Sequence, residues 1–187
     1  KDNLEKEISH VEQMLSQNKF IAVGEIGLDL YWDKSTLDLQ KIAFGSQIEL
    51  AKKYKLPIAI HVRDSFDEAI EIVERLNDDN LSGVFHCFTG NLEEAQRIIN
   101  LKKFYLGIGG VVTFKNGGIN KIINQVSLDR IILETDSPYL SPTPFRGTRN
   151  ESKYLLNIAH KIAELYNIDI EDIAKKTTKN AIDLFHL

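Results

Sequence analysis

Residues 57–76 read PIAIHVRDSFDEAIEIVERL: an apolar run of strand length closing on a histidine, then a polar turn, then an amphipathic stretch. Ser65 and Glu68 have the Ser-x-x-Glu spacing of a capping box, which predicts that a helix opens at that point. The same unit recurs on both sides. FIAVGEIG (20–27), SGVFHCF (82–88), KFYLGIGG (103–110) and RIILETD (130–136) are further strand-length apolar runs, each followed by a turn and an amphipathic segment. In the segment from Ser35 to Tyr54, Leu39, Ile42, Ala43, Ile48 and Leu50 fall close to a 3.6-residue period, and Asn91 with Glu94 opens another helix. Near-continuous apolar strands alternating with helices are what a parallel sheet buried on both faces requires, so the expected class is α/β. The tail, Glu151 to Leu187, reads as two or three helices with Asp169 a candidate N-cap.

Composition narrows the function. With 23 Lys+Arg against 27 Asp+Glu in 187 residues, the net charge of −4 excludes bulk cationic attraction to nucleic acid. Hydrophobic residues at 43% and charged residues at 27% exclude general disorder. At roughly 150 residues per domain, and with no linker, repeat or low-complexity tract, a single domain over 1–187 is expected. The lone cysteine, Cys87, rules out an internal disulfide or a thiolate cage and suits a reducing compartment, with the cytoplasm as default. No apolar run reaches the ~20 residues of a membrane span, and KDNLEKEISH at the start lacks the apolar core of a signal peptide. No membrane association is expected.

Polar residues within the apolar runs gather at their carboxyl ends. Side chains alternate faces along a strand, which puts Val23 with Glu25, Ala59 with His61, Val84 with His86, and Ile132 with Glu134 and Asp136. Cys87 falls on the opposite face from His86, predicting that it packs against the covering helices and ligates nothing. Glu25, His61, His86 and Asp136 can then converge at one end of the sheet, where parallel α/β folds gather their chemistry. Two imidazoles and two carboxylates suit Zn²⁺ or Mn²⁺, or Mg²⁺ with water, and a His₂Glu set with an open position is hydrolytic in character. Glu134 lies one layer deeper, either orienting a ligand or forming a salt bridge within the sheet. Gly107–Gly110 lacks the third glycine of a dinucleotide loop and reads as a close backbone approach or a turn. His10, His160 and His186 lie on helical stretches and read as surface or packing residues.

GEIGLDLYWD (24–33), LPIAIHVRDS (56–65), GVFHCFTGN (83–91), FYLGIGGVVTFKN (104–116) and ILETDSPYLSPTPFRGTRNES (132–152) together resemble the TatD-type metal-dependent deoxyribonucleases, in order and over almost the whole chain. The resemblance implies a (β/α) TIM-type barrel of the amidohydrolase kind with two divalent metals (Mg, Mn or Zn), cleaving DNA phosphodiesters, often as a 3′-to-5′ exonuclease. It makes Glu25 the carboxylate bridging both metals, His61 and His86 imidazoles on one of them, and Asp136 the carboxylate on the other that orients or deprotonates water. Arg63, Arg146, Arg149 and Asn150 match positions beside the site, where the arginines offer bidentate donors to phosphate.

Two departures shape the expectation. The family's His-x-His strand and the strand after it are absent, and a barrel of roughly 250 residues leaves about 60 unaccounted for, near two βα units. The chain therefore reads as family strands three to seven plus C-terminal helices, a truncated portion of a longer enzyme binding about one metal tightly. Ser152 also replaces the family's usual proline. The expected activity is hydrolysis of DNA at single-stranded or frayed ends, with Tyr31, Trp32 or Phe114 stacking on a base. Alternatives are a related hydrolase of a small ester, amide or phosphoester, or an inactive interaction scaffold. Open barrel edges at 20–27 and 130–136 invite an N-terminal fragment or a second copy as partner.

Overall fold

The computed structural model describes residues 3–187. A helix, α1 (Leu4–Leu15), precedes β1 (Val23–Asp29) and α2 (Leu37–Tyr54); then come β2 (Ile58–Arg63), α3 (Phe66–Leu76), β3 (Gly83–Phe85), α4 (Leu92–Asn100) and β4 (Phe104–Ile108). After β5 (Ile131–Leu133) the chain ends in α5 (Leu155–Tyr166) and α6 (Ile170–Phe185). The five strands form one parallel sheet in the order β1-β2-β3-β4-β5. Among the described residues the outer edges of β1 and β5 pair with no further strand.

Alternation sorts the strands into two faces. Leu28, Ile58, Ile60, Phe85, Phe104, Leu106 and Ile131 point outward into the main core, where Phe44 and Ile48 of α2, Ile70 of α3 and Ile98 of α4 meet them. Burying such a side chain fully contributes about 1.5–3 kcal/mol, so this face holds the helices on the sheet. The inner face carries a smaller cluster, Val84 and Ile132 with Leu184, backed by Ala59, Tyr105 and Phe185. α6 is tied there by buried Asn180, whose amide donates to the carbonyls of Leu128 and Ile131.

Four local expectations need correction. Val23 and Glu25 do not share a face: the β1–β2 register shifts between Val23 and Ile26, and Val23 joins Ile26 and Leu28 in the outer core. The Ser65–Glu68 capping box does not form although α3 starts there; the Ser65 hydroxyl donates instead to the Leu28 and Arg63 carbonyls, at 2.8 and 3.1 Å. No α-helix follows β4, where glycines 110, 117 and 118 leave only short 3₁₀ turns. Cys87 is not turned to the helices, because β3 stops at Phe85 and Cys87 takes a left-handed φ of 47° that swings it to the carboxyl end of the sheet.

Candidate metal centre

Glu25, His61 and His86 come from the inner face of β1, the inner face of β2 and the residue just past β3, and their ligand atoms all lie within 4.8 Å of one another. His61 Nδ1 is 3.3 Å from His86 Nε2, which is 3.4 Å from Glu25 Oε2. Ligands held at about 2.0–2.1 Å around one tetrahedral ion lie about 3.3 Å apart, so the trio has the spacing of a shared cation. The donor chemistry and the geometry both fit a divalent ion with an open side toward solvent.

Each histidine has a carboxylate behind it. His61 Nε2 lies 3.1 Å from Asp29 Oδ2 on the far side from His86. Glu134 Oε1 stands 3.8 Å from His86 Nδ1 and also accepts the Cys87 N–H. Glu134 therefore stands beside His86, at a distance compatible with either of the two roles left open for it. Carboxylates at these places fix the ring tautomer and raise ligand basicity. Gly107 makes room for Glu134: a Cβ there would lie 2.8 Å from Glu134 Oε2 and 3.0 Å from His86 Cα. Asp29 was missed in the sequence, although Glu25, Gly27 and Asp29 are spaced by two along β1 and the same alternation reaches it.

Asp136 lies outside the trio. It sits beyond the end of β5 at φ 55°, on the same cavity of about 710 Å³ that Glu25, His61, His86 and Arg63 line. Burial, then Glu134 and Glu25, push the Asp136 carboxyl above the usual range, with the histidines opposing. Burial disfavours the His86 imidazolium, yet Glu134, Glu25 and Asp136 outweigh it and raise His86 above its ordinary value. Asp29 goes the other way, since the Tyr31 N–H, His61 and Arg63 overcome its burial. Burial and the same carboxylates push the Cys87 thiol up to about 12, so it is inert as a nucleophile. Crowded carboxylates that hold protons too tightly are what a divalent cation relieves.

The substrate-side residues divide. Arg63 lines the cavity, its guanidinium 3.5 Å over the Tyr31 ring. Arg146 is exposed on the loop after β5, donating to the Ser141 carbonyl and covering the Phe114 ring at 3.6 Å, and Arg149 on that loop is exposed. Neither lines the cavity. Asn150 is a correction: it is 2% exposed, and its amide donates to the Thr135 and Tyr139 carbonyls, so it braces the Asp136 loop and has no donor left for substrate.

The TatD related DNase family model matches residues 1–186. The chain belongs to that family. YabD of Bacillus subtilis, named as an uncharacterized metal-dependent hydrolase, is 42% identical over 187 residues, covering all of this chain and 73% of YabD. YcfH of Escherichia coli K12, named likewise, is 32% identical over 182 residues, 97% of this chain and 68% of YcfH. The crystal structure of YjjV, a TatD homolog from E. coli K12, superposes with a TM-score of 0.90 at 30% identity, covering 96% of this chain and 70% of that one. The TatD-type chain is thus a metal-dependent hydrolase whose five-stranded parallel sheet follows the α/β fold of that TatD homolog. No helix among its described residues is long and apolar enough to cross a membrane.

Proposed function

We propose that this TatD-type hydrolase cleaves DNA phosphodiesters at single-stranded or frayed ends, removing nucleotides in the 3′-to-5′ direction. The supporting observation is the Glu25–His61–His86 trio opening on a cavity that also presents Asp136 and Arg63. A divalent ion bound there supplies positive charge to the phosphate and acidifies water. Arg63 donates to a phosphate oxygen, which offsets the chain's net charge of −4 where the substrate sits. Asp136 takes the proton of the attacking water, whose oxygen bonds to phosphorus as the bond to the leaving oxygen breaks. Burial raises its affinity for protons, which suits a base.

About one tightly held ion per chain is proposed, because a second could draw only on Glu25 and Asp136 among the described residues. The open edges of β1 and β5 are where a further strand, from this protein or another copy, would pair. A cytoplasmic site of action is part of the same proposal.

The test pairs metal analysis with hydrolysis. After equilibration with Mn²⁺ or Zn²⁺ the protein should carry about one ion, and Glu25→Ala should lose it together with cleavage of a 5′-labelled single strand while circular dichroism stays unchanged. Near-native cleavage by Glu25→Ala, or faster turnover of a generic small ester than of DNA, overturns the assignment.

A further inference from the structure

Three aromatic residues near the site were candidates for stacking on a base, and the structure separates them. Tyr31 carries the Arg63 guanidinium at 3.5 Å from its ring centroid, and Phe114 carries that of Arg146 at 3.6 Å. Those faces are already occupied. Trp32, with the Arg63 guanidinium farther off at 5.9 Å from its ring centroid, keeps 82% exposure on the rim of the metal cavity, and a residue that the sequence reading passed over, Tyr139, lines the same cavity at 70% exposure.

Both rings are displayed on fixed backbone. Trp32 follows Tyr31, whose N–H donates to Asp29 Oδ1 at 2.9 Å, and the Tyr31 ring meets Trp32 edge to face with centroids 4.8 Å apart. The Tyr139 N–H donates to the Asp136 carbonyl at 2.8 Å, and its own carbonyl accepts the buried Asn150 amide at 2.6 Å. Two large rings held out into water beside a cation site leave apolar faces that packing does not use.

We propose that Trp32 and Tyr139 form a stacking site for the unpaired terminal base of a nucleic-acid strand whose phosphate lies at Glu25, His61 and His86. This rests on the phosphodiester reading above and adds the determinant that selects single strands. A terminal base in a blunt duplex is already paired and stacked, so it must be peeled away before these rings can hold it. Ring stacking reads no base edge, so the selection is for unpairedness and tolerates any sequence. Asn150 then acts as a positioning residue, holding Tyr139 and Asp136 on one braced loop.

Trp32 is the only tryptophan in the chain, so its fluorescence reports the contact directly. Titrating the Mg²⁺-loaded protein with a short phosphorothioate oligothymidylate should quench that emission saturably, and a blunt duplex should not. Tyr139→Ala should raise Kd about 5- to 100-fold, Tyr139→Phe should bind nearly as the unaltered chain does, and an abasic oligomer of equal length should bind as weakly as Tyr139→Ala binds thymidylate. Thymidylate and abasic oligomers binding the unaltered protein alike, or Tyr139→Ala leaving Kd unchanged, overturns the stacking site and leaves the phosphodiester reading standing. If neither oligomer binds, that reading fails and takes the stacking site with it. Should Tyr139→Ala not fold, the comparison of thymidylate with abasic oligomer on the unaltered protein decides.

Discussion

Asp29 shows how a residue outside the metal-ligand trio can set the chemistry of one placed to hold a cation. His61 presents Nδ1 to the site only while Nε2 is engaged by Asp29, and Asp29 is itself fixed by accepting the Tyr31 N–H. Removing the carboxylate frees the ring to rotate and to choose the other tautomer, and it lowers the electron density of the ligating nitrogen. Asp29→Ala is expected to weaken divalent-metal affinity about 10- to 100-fold, with Asp29→Asn weakened less because its side-chain oxygen still accepts from Nε2. Competition against a chromogenic chelator measures both. Equal affinities in all three proteins would show that the ring is oriented by its packing alone. Glu134 plays the matching part for His86, and it can approach only because residue 107 has no side chain.

At the scale of elements, the capping motifs make the contrast between local and tertiary causes measurable. Asn91 forms the full box with Glu94, each side chain accepting the other's backbone N–H. Asn91→Ala should therefore cost about 1 kcal/mol in urea unfolding, through α4 alone; a loss below about 0.3 kcal/mol would mean that α4 does not need its cap. Ser65 has the same local signature, but its hydroxyl is recruited by the Leu28 and Arg63 carbonyls of neighbouring strands. Strands, most helices and the gathering of Glu25, His61 and His86 at one end of the sheet were legible because they follow from hydrophobic period and from where polar residues interrupt the apolar runs. The register shift between Val23 and Ile26 was not, nor was the left-handed turn at Cys87, since both are settled by how one strand meets the next. The same limit applies to Asn150, whose residue type suits phosphate binding and whose burial assigns it to bracing. Asp29 differs in kind: its signal was present in the alternation of β1, four residues past Glu25.

For the whole molecule, stability and metal binding are joined through one histidine. In the metal-free chain the folded-state pKa of His86 is raised above its value of about 6.5 in the unfolded chain. Protonated His86 then stabilises the fold fully below about pH 6.5, and that contribution is lost as pH rises through the raised folded value. Asp136 is also raised, and its contribution has the same sign, lost as pH rises through its own folded value. A cation needs the neutral imidazole, so its affinity runs in the opposite sense and grows over the same interval. With chelator present, the melting temperature should fall from pH 6 to pH 8 by more in this protein than in His86→Asn, which lacks the titrating ring. With divalent metal at about 100 times Kd, the gain over the chelated protein is expected to be about 5–10 °C near pH 8 and smaller near pH 6. A chelated melting curve with the same pH slope in both proteins, or a metal-induced gain independent of pH, would remove His86 from the coupling. Both senses have one origin: Glu25, Glu134 and Asp136 favour a proton on His86, and a cation bound beside them would take that proton's place.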